Sequence, residues 1–142
     1  MLSEQLVNLI ERNADSLAKS WLADVQKHPD TPTFHNFDPV SLYERSFMVY
    51  SQLSKWISNK TARSEIAEYY MDLARKRKKE GFALSEIIQS LIIIRRHLWL
   101  KVLNEGLLDT ALELHKALEL DGRVIHFFDQ ATFYTALGYE KA

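Results

Sequence analysis

Residues 81–105, GFALSEIIQSLIIIRRHLWLKVLNE, restrict what this chain can fold into more than any other stretch. At helical spacing Leu84, Ile87, Ile88, Leu91, Leu98, Trp99 and Val102 share one face, and Arg95 falls near its middle. The opposite side carries Ile93 and Leu100 beside His97. A helix that is apolar on both sides is either central to its domain or half-covered by a partner. The segment therefore predicts a core helix with a second contact on its back.

The rest of the chain supplies helices to surround it. Leu6, Leu9, Ile10, Asn13, Ala14, Leu17, Trp21 and Val25 follow a helical stripe, which predicts one helix from a cap at Ser3 to about Lys27. Residues 28–38, HPDTPTFHNFD, form a loop in which Phe34 and Phe37 are expected to tuck against the bundle. Asp38-Pro39 is a start signal for a second helix, running to about Ser58. A third begins between Thr61 and Ser64, stops at Gly81, and should pack antiparallel to the helix that follows. Beyond Gly106 lie one or two more, bent near Asp121-Gly122, with Gly138 as a C-terminal cap. No stretch alternates with period two. The expectation is a single all-α domain over residues 1–142, an antiparallel bundle of five or six helices, with a globin-like arrangement as one form of it.

Composition narrows the function classes. Without cysteine there is no disulfide and no thiolate chemistry. The longest apolar run, Leu91–Ile94, is far short of the roughly 20 residues that cross a bilayer. Residues 1–25 carry polar and acidic side chains throughout, unlike a signal peptide, so a cytoplasmic location is expected. A net charge of −1 gives no pull toward nucleic acid or an anionic membrane. The basic run Arg75–Lys79 spreads around its helix and reads as a solvated end.

The chain holds no glycine-rich phosphate loop, no HExxH or ExxH metal motif and no GxSxG elbow. No catalytic residue, metal or cofactor is expected, and Glu11 and Asp15 read as solvated helix surface. A guanidinium on an apolar face needs a partner. Arg95 should therefore snorkel to solvent or pair with a carboxylate such as Asp121, Asp129 or Glu44, or else bind an anionic ligand or form a switchable ion pair. With the helical histidines His97 and His126 it forms the candidate ligand-binding set. On the last helix His126, Phe133 and Leu137 lie opposite Val124, Phe127, Phe128 and Ala131. A homodimer burying Ile93, Leu100, Phe133 and Leu137 would account for both two-faced helices.

The segment ARKRKKEGFALSEIIQSLIIIRRHLW, residues 74–99, resembles the N-terminal domain of the RsbRD-type co-antagonists, relatives of the stressosome sensor RsbR. The shared pattern is a basic residue, then Gly-hydrophobic-x-Leu-x-Glu, then Leu-x-x-x-Arg-Arg. Trp21-Leu22 and the series Asp121, Asp129, Tyr134, Gly138-Tyr139 fit it as well. Ala83 departs from it, since a serine there would complete a capping box with Glu86. The resemblance implies a non-catalytic, dimeric signal-input domain whose last helix points toward an output partner, a STAS domain or a histidine kinase. It implies a globin-like fold without haem. The alternative is a globin-like helical domain that holds a small ligand, namely haem, a lipid or an anionic metabolite.

Overall fold

The first apolar stripe is carried by two helices instead of one. In the computed structural model, which describes residues 4–105 and 110–142, α1 spans Glu4–Arg12 and α2 spans Ala14–Val25. The break sits at Asn13, whose side-chain amide donates to the Leu9 carbonyl at 2.7 Å. Asparagine competes for backbone partners in this way and bends helices that the apolar pattern alone would continue. The expected cap at Ser3 and the break at Gly106 lie outside the described residues.

The loop closes on itself before the next helix. Thr31 is fully buried and donates to the Val25 carbonyl at 2.8 Å, while a 3-10 turn over Pro32–His35 carries Phe34 inward. Phe34 and Phe37 both pack on Phe82, with ring centroids 4.6 and 4.9 Å apart. Helix α3 (Pro39–Ser51) starts as its sequence signals, the Asp38 carboxylate accepting the Ser41 N–H at 3.2 Å. It ends early at Gln52, and a short α4 (Leu53–Trp56) follows. The Glu11 carboxylate of α1 supplies the missing cap, accepting both the backbone N–H (2.9 Å) and the hydroxyl (2.8 Å) of Ser54. Glu11 is thus a joint between helices, and Asp15 likewise accepts the Tyr43 hydroxyl. Neither is merely solvated surface.

Helix α5 (Arg63–Lys79) stops at Gly81, which has φ +96°. The Phe82 N–H returns to the Arg77 carbonyl and the Gly81 N–H to that of Lys78, a paired closure that needs the left-handed residue glycine adopts freely. Helix α6 (Leu84–Asn104) lies at the centre, with α1, α2 and α7 (Ala111–Lys141) packed on it. Among the described residues every regular element is helical.

Three expectations change here. Consecutive α5 and α6 scarcely touch, and α5 lies chiefly on α7 instead. The contacts of α5 with α7 ascend together (Arg63 with Tyr134, Met71 with Gly138, Lys78 with Tyr139), so those two helices run in the same general direction. Helix α7 is continuous through Asp121-Gly122. And Gly138 is no cap. It is buried inside α7, where a Cβ would stand 2.6 Å from Met71 Cα and 2.7 Å from Met71 O. Glycine lets the two backbones meet.

Helix α6 is also rotated relative to its apolar projection. Its buried side is Ile87, Ser90, Leu91, Ile93, Ile94, Leu98 and Val102, because neighbours press on that side. Two hydrogen bonds fix the rotation: the Trp21 indole donates to the Ser90 carbonyl at 3.0 Å and the Tyr50 hydroxyl to the Ile94 carbonyl at 2.8 Å. Arg95 is carried to the rim and Ile92 outward.

Candidate functional site

The residues singled out in sequence separate in space. Arg95 is half-buried and makes no ion pair or hydrogen bond among the described residues, so Asp121, Asp129 and Glu44 are not its partners. Two residues on, the His97 ring nitrogen lies 3.0 Å from the Asp24 carboxylate and clasps α6 to α2. His126 is exposed on α7, at a polar groove of about 210 Å³ that it shares with Trp56, Asn59, Arg63 and Arg123. Neither Arg95 nor His97 reaches that groove. The three do not form one site.

Of the expected contact residues, Ile93 is completely buried and cannot meet a partner in this fold. The reason is the rotation of α6, which turns Ile93 toward its neighbours. Leu100 and Phe133 are exposed, and Leu137 is half-buried. The outward faces of the last two helices carry more than these. Ile92, Leu100 and Leu103 stand out from α6, and Leu112, Leu114, Leu118, Ile125 and Phe133 from α7. Leu103, Leu112 and Leu118 are about 60% exposed, at 58, 62 and 60%. On α7, Leu114, Leu118 and Ile125 fall within about 40° of one another at helical spacing. That makes a stripe along the flank of the buried face of Ala117, Leu120 and Val124.

A second feature was not legible in the sequence. Between α2, α3, α5 and α6 lies a cavity of about 40 Å³, lined by Trp21, Val49, Tyr70, Leu73, Leu91 and Ile94 among others, with Arg45 and Arg77 on its border. Arg45 donates to the Glu80 carboxylate at 2.9 and 3.1 Å, and Arg77 donates to the same carboxylate at 2.9 Å. The Arg45 guanidinium also lies over the rings of Phe37 and Phe82. Burial, and then the charge of Arg77, hold Arg45 below the ordinary arginine range, although Glu80 acts in the opposite sense. The carboxylate that pairs with Arg45 comes from 35 residues away, a separation that no local pattern reports.

Other members of the basic run are engaged both within α5 and across to α7. Arg75 and Lys76 pair with Asp72, and Lys78 donates to the Tyr139 and Ala142 oxygens. Among the described residues no group of histidines and carboxylates could hold a metal ion, and no helix is long and apolar enough to cross a membrane. Comparison with family models, with curated proteins and with solved structures finds no match.

Proposed function

We propose that this chain is a non-catalytic signal-input domain that works as a homodimer through the outward faces of α6 and α7. One observation carries the reading. The two longest helices bury one side completely and still leave eight large apolar side chains exposed elsewhere on their surfaces. Apolar patches of this kind on a soluble domain mark contacts. Leu100 and Leu103 lie in the last turns of α6, and Leu112 and Leu114 in the first turn of α7.

The resemblance of residues 74–99 to the RsbRD-type co-antagonists supports the same reading, and with it a STAS-domain or histidine-kinase partner in a cytoplasmic pathway. Sedimentation equilibrium from low to high micromolar concentration tests the dimer. A concentration-dependent dimer is expected, and Leu118→Glu or Ile125→Glu should weaken it by more than about a hundredfold, since a buried unpaired charge costs several kcal/mol. Circular dichroism should show unchanged helicity in both variants. A strict monomer throughout the range refutes the proposal.

A further inference from the structure

The cavity beside Arg45 and Arg77 has the makings of a binding site. Its wall is almost wholly apolar, yet its border holds two guanidinium groups that share a single carboxylate, Glu80. Asp38, at the exposed start of α3, adds the weakest of the influences on Arg45. Positive charge there exceeds what the immediate carboxylate can balance. Two polar atoms of the lining residues are also sealed from solvent without a partner among the described residues: Arg45 Nη1 and the Tyr70 hydroxyl. A fold seldom leaves such donors empty, because each costs the desolvation of a polar group with nothing in return.

We propose that this cavity binds a short-chain aliphatic carboxylate. The carboxylate head would meet Arg45 Nη1 and the tail would lie among Val49, Leu73, Leu91 and Ile94. The chemistry follows from the three observations together. A guanidinium favours a planar carboxylate, which accepts two parallel N–H bonds. The excess of one positive charge suits a monoanion. The cavity of about 40 Å³ takes about three water-sized spheres at roughly 10–15 Å³ each, the bulk of a propyl or butyl tail. A free phosphate would leave the apolar wall unused, and a long acyl chain would not fit.

The test uses the Trp21 indole N–H as a reporter, because Trp21 lines the cavity and its N–H is fixed on the Ser90 carbonyl. The whole purified chain, labelled with nitrogen-15, is titrated with butyrate, valerate, butylamine and inorganic phosphate. Valerate and butyrate should shift that resonance saturably at millimolar concentration, and butylamine and phosphate should not. Arg45→Met should weaken valerate binding by more than about tenfold, as expected when one member of a buried charge pair is lost. Leu91→Phe fills the tail space and keeps both arginines, so it should abolish binding even if Arg45→Met proves too unstable to study. Arg95→Met, outside the cavity, should change nothing. Absence of a saturable shift with either acid overturns the proposal, as does an equal response to phosphate or undiminished binding by Leu91→Phe. Dimerisation is read separately by sedimentation, so failure here leaves the preceding reading intact.

Discussion

Two glycines on α7 offer an internally controlled prediction. Gly122 is exposed and a Cβ there meets nothing within 4 Å, whereas a Cβ at Gly138 would lie 2.6 Å from Met71 Cα and 2.7 Å from its carbonyl oxygen. Alanine favours a helix interior over glycine by about 1 kcal/mol, so Gly122→Ala should stabilise the chain by about that much. Gly138→Ala gains the same term but must part α5 from α7. Ordinary contact begins near 3.4 Å, so the backbones must separate by 3.4 − 2.6 = 0.8 Å. A gap of that size forfeits about a quarter to a half of the dispersion attraction across the crossing. Overpacking of this kind typically costs about 1–3 kcal/mol, and the obstacle here is backbone that no rotamer change removes. The net expectation is a loss of about 0–2 kcal/mol, or up to roughly 8 °C in Tm, against the gain at Gly122. Urea and thermal unfolding of both variants, at one fixed protein concentration, decide it. If Gly138→Ala is as stabilising as Gly122→Ala, the close crossing of α5 and α7 is wrong.

Other perturbations have equally definite signs. Glu86 is buried and accepts from the Thr33 N–H and hydroxyl, each at 2.7 Å, and from the Ala83 N–H at 3.3 Å. Glu86→Ala should therefore cost about 3 kcal/mol by leaving those donors unpaired, read by urea denaturation. Ala83 holds the N-cap position of α6 in extended backbone without a side-chain acceptor, so only the Glu86 half of a capping box is formed. Ala83→Ser should raise stability by about 1 kcal/mol, and a loss would show that its hydroxyl cannot reach the helix. Burial lifts the Tyr50 and Tyr70 phenols well above the ordinary value of about 10. Both stay neutral in the fold and ionise first in the unfolded chain, so their contribution is complete below pH 10 and lost as pH rises further. Tyr70→Phe, which sacrifices no hydrogen bond among the described residues, should flatten that alkaline decline in a stability-versus-pH profile; an unchanged slope refutes the assignment.

Much of the fold was legible because it rests on local chemistry. Asp38 caps α3, Gly81 closes α5, and Phe34 and Phe37 leave the loop for the core, each for a reason contained within a few residues. What escaped notice depends on distant partners. Nothing near Glu11 announces Ser54, and nothing near Arg45 announces Glu80. Gly138 looked like a terminus because glycine often ends helices, whereas here it permits an approach that only the facing helix reveals. Ile93 looked outward because the apolar projection was centred on Arg95, and the true neighbours lie to one side of that centre.

The two hydrogen bonds onto the Ser90 and Ile94 carbonyls bear on specificity more than on stability. A helix greasy on every side loses little apolar burial when it rolls in its socket, so hydrophobicity alone permits several nearly equivalent orientations. Trp21 and Tyr50 break that degeneracy by anchoring to backbone atoms one turn apart. A Trp21→Phe, Tyr50→Phe double variant would keep its helices and most of its burial. It would trade a unique native state for a family of rolled ones, with far-ultraviolet dichroism retained and the near-ultraviolet signal of the remaining aromatics collapsed.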